Sequence, residues 1–552
     1  MSYDIVPESA PFSPEQRAWL NGFFAGVLGS MDAANTRGGN AASLAAAAAL
    51  LPSLSGSASK VDESTEDFPW HDSTLPVTER MSLADGKPLE RRMMAAMAQL
   101  DCGSCGYLCK TYAEALANGH EKNLTLCTPG GSETAKLLRT LHKQRDVNGG
   151  TPVAGAKVAG AKAAEPTPVG SRENPAKAQL IASERLNGEG STKDTRHVTI
   201  DLCDSGLRYN VGDALGVLPS NCDQLIQDVC QAADVDPKAK VRDGAVTQTL
   251  ADTLRGRCLR AITAELCDRA RERVQQRPKH NGDAAVDAQL IKRLEAFSDS
   301  DSLDEYDVYE FLAEFTPLSL LAQDLVDTLA PLRPRLYSIA SSQSAHPNQV
   351  HLTVGRVEKE VRGRARKGVA STMFADRLDP GAGLQVFVQP SHGFTIPADP
   401  SAATIMVGPG TGIAPFIAFL QQRKFERSQQ SNCGANWLFF GDQTRASDFL
   451  YEQQLTTWLE SGLLSRLDLA FSRDDKEKVY VQHRMHQHGA ELFRWLELGS
   501  YFYVCGDAQR MARDVEQALL DIIVAHGGHS LLAAKDYLKS LRQSHRFAAD
   551  VY

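Results

Sequence analysis

From residue 402 onward, short apolar runs alternate with segments whose apolar positions recur at helical spacing. Thr404–Val407, Trp437–Phe440, Leu467–Phe471 and Tyr501–Cys505 read as buried strands, and Pro415–Arg427, Phe449–Glu460 and Arg510–His526 as helices. Such alternation predicts a doubly wound α/β domain, a parallel sheet with helices on both faces. Upstream the pattern differs. His197–Ile200 alternates with period two, as do the strand-like stretches 335–340, 350–357 and 384–389. Between about 220 and 330 the period turns helical, as in Cys222–Ala233 and Tyr306–Leu329. This predicts a small β-barrel interrupted by a helical insert.

The front of the chain is less regular. Ser13, Pro14 and Gln16 open a predicted helix with a capping-box pattern, and Trp19, Leu20, Phe23, Phe24, Val27 and Leu28 fall on one face of it. That face suits packing on the protein's own core or docking on a partner. Residues 30–75 are rich in Ala, Ser, Gly and Asp and are expected to be poorly ordered. Residues 88–142 carry bunched cysteines, and Val147–Pro175 is a low-complexity Ala/Gly/Pro/Lys tract that reads as a flexible linker. The expected divisions are 1–87, 88–145, a linker at 146–173, 174–398 with the insert, and 399–552.

A chain of 552 residues is too long for one core, which agrees with several domains. The net charge of −9 argues against a nucleic-acid partner, which would require clustered cations. The opening MSYDIVPES lacks the build of a signal peptide, and Leu44–Leu54 is mostly alanine and short of a membrane span. No membrane association is therefore expected, and a cytoplasmic location is. In a reducing compartment the bunched Cys102, Cys105, Cys109 and Cys127 suggest metal, and the scattered cysteines suggest core packing.

Several strings carry chemistry. Arg335-Leu-Tyr337-Ser338-Ile-Ala-Ser-Ser can hold a flavin: arginine for pyrophosphate, a tyrosine face for the ring, a hydroxyl for its edge. The chain closes on Asp550-Val551-Tyr552, a terminal aromatic able to cover a planar cofactor. Gly408-Pro-Gly410-Thr411-Gly412 follows a strand and opens a helix, where bare amides and the helix dipole favour a pyrophosphate; alone, such a cluster is also a tight turn. Ser472, Arg473, Lys478 and Tyr480 gather a hydroxyl, two cations and a phenol after a strand, fit for a 2′-phosphate or simply a solvated loop. Cys505, before Gly506-Asp507, is either core filler or a group at the sheet edge where ligands bind.

From about residue 174 these strings, with GVASTMFADRL (Gly368–Leu378), resemble in order the reductase half of the diflavin, or ferredoxin–NADP reductase, family, in particular its sulfite reductase flavoprotein (alpha) members. The resemblance implies an FAD-binding β-barrel with a helical connecting insert, then a nicotinamide-binding domain. Arg335, Tyr337 and Ser338 would hold FAD, with Gly368, Val369 and Ser371 at its pyrophosphate. Gly410, Thr411, Cys505 and Asp507 would line an NADPH channel, and Ser472, Arg473, Lys478 and Tyr480 would read the 2′-phosphate. Ser338, Cys505 and Asp550 would surround the hydride path, with Tyr552 over the flavin until nicotinamide displaces it.

The family's front domain is a flavodoxin, and no phosphate loop of that type occurs before residue 174. Instead Cys102-x2-Cys105-x3-Cys109-x17-Cys127 resembles the small helical iron–sulfur domain of Rnf-type electron-transport B subunits. Four thiolates in this three-plus-one arrangement suit a [4Fe–4S] cluster; structural zinc and redox or inert thiols are the alternatives. The resemblances together imply an NADPH-dependent oxidoreductase passing electrons from NADPH through FAD and the cluster to a separate acceptor protein, a sirohaem sulfite reductase first. A nitrite or nitrate reductase, a stand-alone diaphorase with zinc, and a redox-sensing scaffold are the alternatives.

Overall fold

The computed structural model describes residues 68–70, 75–99, 107–119, 121, 123–127, 129–147, 169–172, 174–278, 283–298, 305–391, 393–429, 433–508 and 510–552. The expected helix at 13–28, most of the stretch 30–75, Cys102, Cys105 and the linker between 148 and 168 lie outside these residues. Pro69–Tyr552 form one unit, within which all contacts below are made.

The chain enters its β-structure through β1 (Ala176–Arg185), β2 (Thr195–Asp201) and β3 (Ala214–Val217). A helical segment follows, carrying the hairpin of β4 (Lys240–Asp243) and β5 (Val246–Thr249). Then come β6 (Arg335–Ser338), β7 (Gln349–Gly355), the hairpin of β8 (Glu358–Val361) and β9 (Arg364–Lys367), and β10 (Gly383–Gln389). The main sheet runs β6-β3-β10-β1-β2-β7 and is antiparallel throughout. On β1, Ala176, Ala178 and Leu180 point inward while Lys177, Gln179 and Ile181 point out, the period-two signature of a one-sided sheet. The sheet closes on itself, because Ile339, just past β6, bridges Leu352 of β7. Leu180, Ile200, Leu215, Val217, Leu352, Phe374 and Val386 fill the barrel.

The helical insert has its own core, with Ile226, Val229, Leu254, Leu266, Phe311 and Leu325 at its centre. The helical run expected over Tyr306–Leu329 divides into Val308–Glu314 and Ala322–Thr328. Pro317 cannot donate to a helical ladder, and Ser319 takes a left-handed φ of 55°, so the chain turns there. Buried Asp324 accepts from both Arg269 and Arg273 at 2.7 Å. The β8–β9 hairpin is strapped to the insert by Arg364 to Asp307 and Arg366 to Glu310.

The second sheet comprises β11 (Thr404–Val407), β12 (Asn436–Asp442), β13 (Arg466–Phe471), β14 (Tyr501–Gly506) and β15 (Phe547–Val551). Its order is β13-β12-β11-β14-β15, parallel at every pairing. Ile405, Trp437 and Phe439 pack into one apolar layer and Met406, Leu438 and Phe440 into the opposite one. Both faces are therefore buried, as the continuous apolar runs require. The chain leaves β11 towards β12 and returns beside it as β14. The C-terminal ends of β11 and β14 thus form the switch point at which open α/β sheets bind ligands.

Barrel and parallel sheet are joined by polar contacts. Asp448, 1% exposed, accepts from Asn187 Nδ2 (2.9 Å), Ser191 Oγ, Thr444 N (3.1 Å) and Thr444 Oγ1 (2.9 Å). Tyr451 Oη meets His197 Nδ1 at 2.9 Å and Thr353 Oγ1 at 2.7 Å. Ser342, at the end of the Arg335–Ser342 string, donates N–H to Gln421 Oε1 (2.9 Å) and O–H to Gln422 Oε1 (2.7 Å) on the helix Ala414–Gln429.

Burial opposes ionisation of Asp448, but its Ser191, Thr444 and Asn187 donors overcome that and hold its carboxyl below the ordinary range. A depressed pKa contributes stability that is present above the unfolded value and lost as pH falls through the folded one. Asp448→Asn is accordingly expected to destabilise the protein by about 1–3 kcal/mol at neutral pH. Urea unfolding at several pH values checks this, and the gap from the parent should close on acidification.

Candidate functional site

The glycine loop after β11 is shaped by two different demands. At Gly412 a Cβ would lie 2.1 Å from the Cys505 carbonyl oxygen, and at Gly408 one would meet the Gly412 carbonyl and the Phe416 ring at 2.5 Å. These two positions let the loop press against β14 and its own helix. Gly410 differs: its φ is +58°, and a Cβ there would have Asp442 Oδ2, at 3.9 Å, as its nearest neighbour. The loop is tight on its protein side and open at Gly410, where the following helix starts. That geometry leaves room for a pyrophosphate.

At the neighbouring strand end, three groups from distant parts of the sequence meet. The parallel register pairs Cys505 with Asp550. Ser338, from β6 of the barrel, donates to Asp550 Oδ2 at 2.6 Å, and the Cys505 thiol approaches the same oxygen at 3.8 Å. Burial pushes the Asp550 carboxyl above its ordinary range, and the Ser338 and Cys505 hydrogen bonds pull partly back. Cys505 is fully buried, and burial followed by the Asp550 charge raises its thiol well above the usual value. The sequence expectation for Ser338, Cys505 and Asp550 thus corresponds to one cluster contributed by both domains.

Tyr552 lies beside it. Its backbone N–H donates to the Gly506 carbonyl at 3.0 Å and its carbonyl accepts from Ala508 N at 3.2 Å, which extends β15 along β14. Its hydroxyl meets Thr411 Oγ1 at 2.8 Å, so the ring spans from the strand tips to the glycine loop, 44% exposed. Asp507 has a structural duty: Oδ1 accepts from Arg510 N (2.7 Å) and Met511 N (3.2 Å), capping the helix Met511–Gly527.

On the barrel side, Tyr337 stands edge-on to Phe374 with centroids 6.1 Å apart, and burial raises its phenol despite nearby Arg335. Arg335 is exposed and donates to the carbonyls of Arg333 (3.1 Å) and Pro334 (3.3 Å). Among the described residues it makes no ion pair. Gly368 precedes the short helix Val369–Thr372, and a Cβ there would strike Ser371 Oγ at 2.7 Å. The Ser371 hydroxyl accepts from Val357 N at 3.1 Å, which fixes this segment to the connection between β7 and β8. Phe374 follows in a π-helical turn, so the Tyr337–Phe374 contact brings this segment and β6 together.

At the end of β13, Ser472 N donates to the Asp442 carbonyl at 2.9 Å and Arg473 N to the Gln443 carbonyl at 2.8 Å. Arg473, Lys478 and Tyr480 are exposed, and among the described residues neither cation is engaged in an ion pair. Ser472 and Arg473 thus sit at the C-terminal end of the sheet, the end that also carries the glycine loop. Asp442 was not singled out from the sequence. It closes β12, its Oδ1 pairs with Lys193 from the β1–β2 connection, and its buried Oδ2 has no hydrogen-bond partner among the described residues. Its place after an apolar strand was a usable signal; Lys193, far away in sequence, had none.

Of the four bunched cysteines, Cys109 and Cys127 are described, and both are buried. Cys109 opens the helix Cys109–Ala117, and a Cβ at Gly130 would sit 3.0 Å from Cys127 Sγ. The burial of both thiols agrees with a metal-binding unit. Among the described residues, no helix is long and apolar enough to cross a membrane.

Three family models match the chain. "FAD binding domain" covers residues 168–253 and 288–373, "Oxidoreductase NAD-binding domain" covers 406–517, and "Putative Fe-S cluster" covers 97–129. The chain is 40% identical over 389 residues to the sulfite reductase [NADPH] flavoprotein alpha-component of Bacillus subtilis (strain 168), covering 69% of this chain and 62% of that one. It is 42% identical over 385 residues to the component of the same name from Cronobacter sakazakii, covering 69% and 61%. A third so named, from Salmonella arizonae, is 34% identical over 598 positions, covering 98% of this chain and 96% of its own. The match thus spans about three fifths of the length of the first two relatives.

The Ser338–Asp550 hydrogen bond gives a measurable sign. Ser338→Ala removes a donor that lowers the Asp550 pKa, so the acid limb of the pH profile for nicotinamide reduction of bound flavin should move to higher pH. In Asp550→Asn that limb should vanish. Single-turnover absorbance across pH 5–9 checks both, and an unmoved limb assigns the titration elsewhere.

Proposed function

We propose that this chain, which belongs to the family of sulfite reductase [NADPH] flavoprotein alpha-components, is an NADPH-dependent reductase feeding electrons to a separate protein acceptor. The observation that carries the reading is the convergence of Ser338, Cys505 and Asp550 beside Tyr552 and the open Gly410. This is the place where a flavin held by the barrel and a nicotinamide held by the parallel sheet would meet. Bound NADPH, FAD and iron–sulfur centre supply hydride transfer followed by release of single electrons, two per NADPH, with the accompanying proton passing to solvent.

The rest is the work of this chain's residues. Arg335 and the segment Gly368, Val369, Ser371 would hold the flavin pyrophosphate, and Tyr337 would hold its ring. Gly410 and Thr411 receive the nucleotide pyrophosphate. Arg473 and Lys478, unpaired and exposed, take the 2′-phosphate with Ser472 and Tyr480 beside them. The Asp550 carboxylate places negative charge beside the position where a nicotinamide becomes cationic, and the Ser338 hydroxyl holds that carboxylate in place. Tyr552 excludes water from the flavin and swings aside when nicotinamide enters. Cys102, Cys105, Cys109 and Cys127 hold an iron–sulfur centre, which in this chain takes the part of a one-electron carrier. The acceptor is the haemoprotein partner that the relatives' name implies, with sirohaem sulfite reductase the specific choice.

Arg473→Ala should weaken NADPH binding by about 1.5–3 kcal/mol, the loss of a charge-assisted bond, and leave NADH binding unchanged. Nucleotide titration of the FAD-loaded protein decides, and equal losses would remove Arg473 from the phosphate site. The function itself is tested by anaerobic absorption with iron, sulfide, zinc and flavin analysis. FAD and iron–sulfur bands that bleach with NADPH, and turnover with sirohaem sulfite reductase, support it. Zinc in place of iron, or turnover with a nitrite reductase alone, would overturn the relay or the acceptor respectively.

A further inference from the structure

The cysteine-bearing segment and the barrel meet through a small set of charged and aromatic side chains. Tyr107 stands between Cys105 and Cys109 in the sequence, within the loop expected to wrap the metal centre. Its ring lies under two guanidinium groups of the barrel portion, with Arg172 at 4.9 Å and Arg333 at 5.4 Å from the centroid. The Tyr107 hydroxyl donates to Glu121 Oε2 at 3.3 Å, and the same Glu121 carboxylate forms an ion pair with Arg333. Glu121 Oε1 also accepts from Asn123 N at 2.8 Å, which fixes the carboxylate on its own loop. Both partners of the ion pair are largely shielded, at 21% and 11% exposure.

Each side of this contact is anchored in its own part of the protein. Tyr107 stacks on buried Tyr112 of the helix Cys109–Ala117, with centroids 5.6 Å apart. Arg172 follows Gly170, where a Cβ would collide with Leu207 at 2.2 Å, so this segment packs closely on the barrel. Arg333 is two residues before β6, and Arg335, the first residue of β6, donates to its carbonyl at 3.1 Å. The contact therefore joins the cysteine loop directly to the strand that carries Arg335, Tyr337 and Ser338. An aromatic face beneath two cations and a carboxylate against one of them is a matched surface.

We infer that Tyr107 and Glu121, held by Arg172 and Arg333, form a docking latch that holds Cys109 and the helix it opens beside the approach to β6, so that electrons pass from the flavin side in the docked arrangement. This rests on the relay proposed above. The four residues are positioning residues, which act through where they hold Cys109 and its helix. A low-complexity linker then serves to join the two parts, while the latch fixes the geometry of transfer.

The test uses the full chain loaded with FAD and iron–sulfur centre. In Glu121→Arg, NADPH-driven bleaching of the iron–sulfur band in stopped flow should slow at least tenfold, while ferricyanide reduction, taken directly from the flavin, stays within twofold. Amide hydrogen exchange in Cys109–Ala117 should rise in parallel. Adding Arg333→Glu, which re-pairs the charges in reverse, should restore bleaching and protection to within threefold. Arg172→Glu, on the barrel side, should reproduce the loss without altering Glu121. Unchanged bleaching and exchange in both single variants, or a loss that the reversed pair does not restore, would overturn the latch. A protein without an iron–sulfur band would overturn the relay instead, and hydrogen exchange in the same variants would then decide the latch alone.

Discussion

The constraint on which the rest of this structure depends is a carboxylate, Asp550, half-buried at a domain junction and bonded by a hydroxyl and a thiol. Such a group is held by geometry rather than by charge pairing, and its neighbours must come from fixed directions. The parallel register of β14 and β15 supplies Cys505, and β6 of the barrel supplies Ser338. Both strands can do so only if the two domains keep one relative placement. The polar interface around Asp448, Tyr451 and Ser342 is what fixes it. An interface of hydrogen-bonded, oriented contacts specifies register more sharply than an apolar one of equal area, since each unmet donor would be costly.

The sequence made the parallel sheet legible because its strands are buried on both faces and read as unbroken apolar runs. The barrel was legible from alternation, and the helical insert from a change of period. Other features escaped. The run Tyr306–Leu329 kept helical periodicity through a turn at Pro317–Ser319, because both helices contribute to one core and the apolar spacing continues across the break. β15 reads Phe-Ala-Ala-Asp-Val, too small and too polar to announce a strand, and it forms because β14 offers it an edge. The β8–β9 hairpin depends on ion pairs with the insert that lie some fifty positions away.

The candidate site divides in the same way. Motif residues on one element could be found in the sequence: the glycine loop, the Arg335–Ser338 string, the Ser472–Tyr480 run. What could not be found is what two elements make together. Lys193 and Asp442 meet across 249 positions, and neither has a local pattern that announces the other. Asp507, expected beside the nucleotide, also has a structural part that the sequence did not announce, accepting from the first amides of a helix.

Under the proposed function the two ends of the nucleotide site follow different physical rules. At the phosphate end, Arg473 and Lys478 remain in water and unpaired, so a phosphate arriving there breaks no ion pair and displaces only solvent. At the ring end, Cys505 is buried and Asp550 half-buried, and the strength of any charge interaction is higher there than in open water. Attraction is thus gathered where desolvation costs little, and polarity is tuned where the surroundings make a single carboxylate effective. Tyr552 marks the boundary between the two regimes: its hydroxyl rests on the glycine loop and its backbone completes the β14–β15 edge. Its side chain makes one hydrogen bond, to Thr411, and the residue is 44% exposed, which suits a group that a planar ligand displaces.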